Sequence, residues 1–191
     1  YFHRWHAQQA LSGGLLVHKA THYFDLVNFF LSAAPQRVFA RGSQQVFGPA
    51  NARRWGITTP GARCGECGQA AVCPFYTDYR KQGEAAEVLE ARAAHGGYRR
   101  DLCVFRPQAD IRDTMHVMVE YDSGALLNYS LVAYSAGGSD TTFFGTLGRL
   151  EATGDRLRIF PSYRDAFEVT PPKVVGGHGG SDVRMFDAMF N

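Results

Sequence analysis

What the 191-residue chain lacks bounds it first. No apolar run approaches the roughly 20 residues of a membrane span; the longest, Leu26 to Ala34, is broken by Asn28 and Ser32. Neither charge is in excess, with 20 Lys+Arg against 18 Asp+Glu and a formal net charge of +2. That balance leaves no electrostatic footprint for nucleic acid or for an anionic membrane surface, so neither is expected as a partner. There is no initiating Met, and no charged stretch leading into a signal-peptide core. No Gly-x-Gly-x-x-Gly opens a βαβ unit, so no dinucleotide cradle is expected within these residues. Internal repeats and low-complexity tracts are missing too. With 45% hydrophobic residues, a packed domain is expected rather than a disordered or fibrous chain. The start at Tyr1 and the close on Met185–Asn191 in mid-helical pattern read as the interior of a longer protein.

What is present changes character along the chain. After Ser12-Gly13-Gly14, an apolar pattern including Leu15, Phe24, Val27, Phe29, Phe30 and Leu31 predicts a helix over about Val17 to Leu31, wide-faced and well buried, stopped by Pro35. Arg37 to Gly42 alternates as a short strand. Ser43 to Tyr76 is long, glycine-rich and without period, unusual in a domain unless something ties it down. Glu84 to Ala94 is a helix ended by Gly96-Gly97. From Thr114 the period becomes two: a hairpin turns at Asp122-Ser123-Gly124 and returns over Ala125 to Tyr134. Short strands follow at Thr141–Thr146, Arg149–Ala152, Arg156–Phe160 and Ala166–Val169, then a Gly176–Gly180 loop and a helix from Asp182. Helices early and antiparallel strands late imply an α+β fold, a large mostly antiparallel β-sheet with helices packed on one face. It is read as one domain over 1–191 with a cysteine-rich insertion at about 43–105.

The sharpest constellation is His18, His22 and Asp25, spaced i, i+4 and i+7, so that on a continuous helix they share one face. Two imidazoles and a carboxylate there suit metal binding or proton transfer near neutral pH; equally, one imidazole is a packing residue whose tautomer Asp25 fixes. Lys19 beside them suits an anionic substrate group. His18 is followed by Lys19, not Glu, so this is not a zinc-protease motif.

These residues resemble the signature of the C-terminal domain of the Gfo/Idh/MocA oxidoreductases, the glucose–fructose oxidoreductase and inositol dehydrogenase family. That signature runs Gly-Gly, an apolar pair, an acidic residue, then Gly-x-His-x-x-Asp entering a helix that ends before a Pro-x-x-Val strand. The counterparts here are Gly13, Gly14, Leu15, Leu16, His22, Asp25, Pro35 and Val38. Asp113-Thr114, Tyr121-x-Ser123-Gly124-Ala125 and Gly145-Thr146-x-Gly148-Arg149-Leu150-Glu151 resemble the same family's sheet. The resemblance implies an NAD(P)-dependent dehydrogenase acting on a sugar, inositol or related polyol. His22 would be its acid/base or substrate-orienting residue, with His18 and Asp25 beside it. His18 stands where the family has an acidic residue, and Ala20 where it has glycine. The Glu-Lys-Pro motif of the family's catalytic lysine is missing. The resemblance thus implies the substrate-binding and oligomerisation half of an enzyme, inactive alone, with NAD or NADP held by an N-terminal Rossmann domain that this chain does not contain. A large sheet face needing cover implies a homodimer or homotetramer through the sheet.

Cys64-x-x-Cys67, Cys73 and Cys103 form the second constellation. Four thiolates with one Cys-x-x-Cys pair favour structural zinc in a cytoplasmic protein, which would also order the long loop. An iron–sulfur cluster is the rival, with Pro74 following Cys73; a disulfide pair is a third reading, and His95 is a substitute ligand. His178 in its glycine loop is a further substrate-binding candidate. His116, Tyr129, Tyr134, Arg53-Arg54 and Arg99-Arg100 are lesser ones, read first as sheet packing or solvated surface. The competing function is a metal-stabilised, non-catalytic binding or oligomerisation module.

Overall fold

A computed structural model describes residues 1–78, 86–172 and 175–190. The chain divides into two units, Tyr1–Ser135 and Ala136–Asn191. Among the described residues, no helix is long and apolar enough to cross a membrane.

The first unit begins with a short 3-10 turn, Trp5–Ala7, followed by α1 (Gln9–Ser12), α2 (Leu15–His18) and α3 (Thr21–Leu31). Helix α3 ends where Ser32 turns left-handed. Next come β1 (Pro35–Ser43), α4 (Ala86–Gly96), β2 (Thr114–Tyr121) and β3 (Leu126–Val132). The three strands form one antiparallel sheet in the order β1-β2-β3. The period-two pattern does what it predicts on β2: Met115, Val117, Val119 and Tyr121 are buried, while His116 and Met118 face out. Helix α3 lays Phe24, Val27 and Leu31 against Val117, Val119 and Tyr121. The Tyr121 hydroxyl donates to Asn28 Oδ1 at 2.9 Å. The wide buried face expected of α3 is only half realised, since none of its residues is fully buried and Phe29 is 75% exposed.

The long segment between β1 and β2 departs most from expectation. It supplies most of the larger core: Val46, Phe47, Ala52, Ile57, Cys103, Val104, Phe105, Ala109 and Ile111 pack with Phe2, Ala7, Leu15 and Met115. Its order therefore has a source other than a metal. The Asp113 carboxylate is fully buried and accepts from the backbone N–H groups of Gln45, Val46 and Phe47 at 2.8–2.9 Å. The Gln44 amide donates to the Ala109 and Ile111 carbonyls. Period alone did not reveal this core because its apolar residues sit in turns, including the 3-10 helix Pro49–Trp55. Of the expected helix from Glu84, residues 84 and 85 lie outside the described residues.

In the second unit, β4 (Asp140–Gly145), β5 (Gly148–Thr153), β6 (Arg156–Pro161) and β7 (Phe167–Val169) form an antiparallel meander in chain order. Gly148, at φ +148°, has no room for a side chain, because a Cβ would collide with the Phe160 carbonyl. The Arg149 guanidinium lies 4.2 Å from the Phe160 ring centre. A 3-10 turn, Gly177–Gly180, leads into α5 (Ser181–Phe190). The α+β class expected from the sequence holds, with the strands divided between a three-stranded and a four-stranded antiparallel sheet.

Candidate functional site

The glycine pair sets the geometry. Gly13 at φ +70° closes α1 in the left-handed conformation, and Gly14 at φ +83° precedes α2. The Ser12 hydroxyl accepts from the Gly14 N–H at 3.0 Å, pinning the bend. Helix α2 then stops after His18. The N–H groups of both Lys19 and Ala20 reach the Leu15 carbonyl, at 3.0 and 2.9 Å, so the turn widens by one residue. The Ala20 carbonyl next accepts from Tyr23 and Phe24, starting α3. Ala20 is fully buried at this joint, which is why a small residue stands there.

The expected continuous helix is therefore two, with the joint between His18 and His22. His18 sits at the end of α2 and His22 in the first turn of α3, with Asp25 one turn further. His22, Asp25 and Lys19 are exposed and His18 is half-buried. No hydrogen bond or ion pair joins His18, His22 and Asp25 among the described residues. His18 instead enters a ring cluster with the start of the chain. Its imidazole centre lies 4.5 Å from that of His6, 5.8 Å from Trp5 and 5.9 Å from Tyr1. Trp5 stacks on His6 at 4.0 Å. Burial, then the neighbouring His18, holds the His6 imidazole below the usual histidine range. His6 Nδ1 is buried without a partner among the described residues. Sequence reasoning missed His6 and Trp5; their signal is the density of rings and bases over Tyr1–His6, which periodicity does not read.

Behind the glycine bend an open cavity of about 440 Å³ is lined by Leu15, Arg41, Asp110, Arg112 and Met115 among others. His178 lies in the second unit, left-handed at φ +50°, and its Nδ1 contacts the Asp182 carboxylate at 3.0 Å. The structure thus gives His178 a local role at the start of α5. His116 bonds the Ser130 hydroxyl at 2.9 Å across the sheet, and the Tyr134 and Thr114 hydroxyls lie 3.2 Å apart. Tyr129 packs on Tyr23 and Phe24. Arg53 and Arg54 are exposed, and Arg99 is half-buried.

All four cysteines are free thiols. Cys64 and Cys103 are buried, and Cys67 and Cys73 half-buried. Burial pushes the Cys64 thiol up to about 11, and the charges of Cys103 and Cys73 act in the same direction. Cys103 is likewise raised, first by burial, then by Cys67 and Cys73. The imidazole beside this group is not the expected His95, which is exposed on α4. It is His3, whose Nδ1 lies 3.8 Å from Cys64 Sγ. Among the described residues, no three His, Cys, Asp or Glu side chains already converge as a metal site.

For a dinucleotide the described residues do not fit. Both sheets are antiparallel, and Gly177–Gly180 is a 3-10 turn with no strand leading into it.

Residues 1–190 match the family described as "Oxidoreductase family, C-terminal alpha/beta domain". The chain is also similar to the Bacillus subtilis (strain 168) protein named "Putative oxidoreductase YteT", 34% identical over 212 aligned residues. That alignment covers 100% of this chain and 49% of that protein, so the chain spans about half the length of the curated relative it matches.

Proposed function

This chain belongs to the Gfo/Idh/MocA oxidoreductase family through its C-terminal alpha/beta domain, and from that we propose that it is the substrate-binding half of a dehydrogenase for a sugar, inositol or related polyol. A nicotinamide dinucleotide, NAD or NADP, supplies the hydride chemistry of such an enzyme when bound. It is assigned to another part of the longer protein. The observation that carries the reading is the α2–α3 joint. It leaves Lys19 and His22 exposed and free of bonds among the described residues, next to a His18 anchored by rings.

In this reading His22 takes or returns the proton of the reacting hydroxyl, a role that suits an imidazole near neutral pH. Lys19 donates hydrogen bonds to substrate oxygens. Asp25 lies one helical turn from His22, on the exposed side of α3. His18 fixes the wall of the site, held on its far side by Tyr1, Trp5 and His6. An imidazole in place of the family's acidic residue makes that wall uncharged or cationic, which favours electron-rich substrate groups. Assembly of two or four copies through the sheet of the first unit completes the proposal. Its outer face carries Phe39 across from Met118, with Leu126 nearby, all at least half exposed.

The test is His22→Ala in the full-length enzyme, assayed with a panel of sugars and polyols. A fall in kcat of about 10²–10⁴-fold, with a smaller change in KM, is expected for loss of a general acid/base. Unchanged kcat removes His22 from the mechanism.

A further inference from the structure

Four backbone turns draw attention away from the histidines. The carbonyl of each cysteine accepts from the N–H three residues on. Cys67 bonds Cys64 at 3.2 Å, Ala70 bonds Cys67 at 3.1 Å, Tyr76 bonds Cys73 at 3.1 Å and Arg106 bonds Cys103 at 3.3 Å. Every cysteine thus opens a tight turn. The Phe105 N–H points at Cys103 Sγ, at 3.4 Å. The Cys64 and Cys103 turns lie 39 positions apart in sequence, yet they are tied side by side. Arg63 and Leu102 form a β-bridge, and the N–H of Cys64 bonds the Asp101 carbonyl at 2.7 Å while that of Cys103 bonds the Ala62 carbonyl at 2.9 Å. Cys73 packs against the same core as Cys103.

A second observation concerns charge. Arg106 is buried, 6% exposed, and directs its guanidinium at three carbonyls, those of Phe2, Cys103 and Arg4, each at 2.7 Å. No carboxylate forms an ion pair with it among the described residues, and Asp110 acts on it only at longer range. A buried cation so placed calls for negative charge nearby. His3 Nδ1 donates to the Leu102 carbonyl at 3.0 Å, which places the edge of the imidazole 3.8 Å from Cys64 Sγ.

We propose that Cys64, Cys67, Cys73 and Cys103 bind one structural zinc ion as four thiolates, with the Arg106 guanidinium offsetting part of the net negative charge of the site. The protons leave the thiols on binding. The backbone turns are preset, and the sulfurs, which do not already converge, close on the ion when it binds. The chain's own apolar core orders most of the 43–105 segment, so the ion's task is narrower: it locks the Cys64–Tyr76 loop to the backbone at Cys103.

The experiment uses the full-length protein purified under reducing conditions without chelator. About one zinc per chain is expected by elemental analysis, and replacement with cobalt(II) should give the intense near-ultraviolet charge-transfer absorption of thiolate ligation. Cys67→Ser and Cys73→Ser alter the half-exposed positions and should each weaken zinc retention at least about tenfold against a competing chelator, whereas Cys67→His should recover part of it. Should a variant fail to fold, chelator-driven zinc release from the unaltered protein, coupled to four newly titratable thiols, reads the same site. Zinc at background level overturns the proposal, as does zinc indifferent to the substitutions, iron accompanied by acid-labile sulfide, or a disulfide found by mass before reduction.

Discussion

Asp113 is the residue on which the first unit's architecture hangs. A carboxylate with no solvent access accepts three backbone N–H groups from Gln45–Phe47, and the Thr114 hydroxyl adds a fourth donor at 3.1 Å. Removing the acceptor leaves the Val46 and Phe47 donors buried and unsatisfied, so Asp113→Ala should cost about 3 kcal/mol in denaturant titration of the full-length protein. Asp113→Asn, which retains one acceptor oxygen, should cost less. His6 carries a different signature. Burial, then His18 and Arg4, depress its protonation in the folded state. The unfolded chain therefore takes up the proton first as pH falls, and the stability this group confers is present above a pH of about 6.5 and lost below it. Tm should drop between about pH 7.5 and pH 5 in the full-length protein, and His6→Gln should make that drop smaller. An equal drop in the variant would show that other groups set it.

At the scale of elements, strands were easier to read than helices. On β2 the alternation is physical, since one face meets α3 and the other meets solvent, so Met115 to Tyr121 could be assigned before any coordinates. The meander from β4 to β7 was placed instead by its turns, marked by Gly145, Gly148 and Gly154. The histidine helix was legible as an amphipathic stretch but not as two helices. Its joint depends on Ala20 being buried and on a hydrogen bond displaced by one residue, and neither leaves a mark in a 3.6-residue period. That joint decides the site. It separates His18 from His22 and sends His18 to the ring cluster at the chain start, so that the reading of His18, His22 and Asp25 as one helical face gives way to an anchored wall beside an exposed acid/base candidate.

At the scale of the molecule, the question is what covers the apolar surface the first unit leaves open. Phe29 and Phe30 on α3 are 75% and 60% exposed, and Phe39 and Met118 on the outer sheet face are 65% and 57% exposed. Apolar area of this kind is buried by association. If the sheet face is the contact between copies, light scattering of the full-length protein should give a dimer or tetramer, and Phe39→Asp with Met118→Asp should shift it to monomer without loss of secondary structure. A monomeric unaltered protein would reject assembly by any route.

The residues alone determined the α+β class, most strand positions, the family resemblance and the candidate chemistry of His18, His22 and the four cysteines. All of these rest on local period, turn residues and motif spacing. Only the tertiary structure decided how the 43–105 segment is held and which rings surround His18. It also placed His3 and Arg106 beside the thiols. Those facts depend on contacts between positions roughly a hundred residues apart, such as Phe2 with Arg106. No local pattern encodes them, because such partners are chosen by which buried donor finds an acceptor once the core has closed.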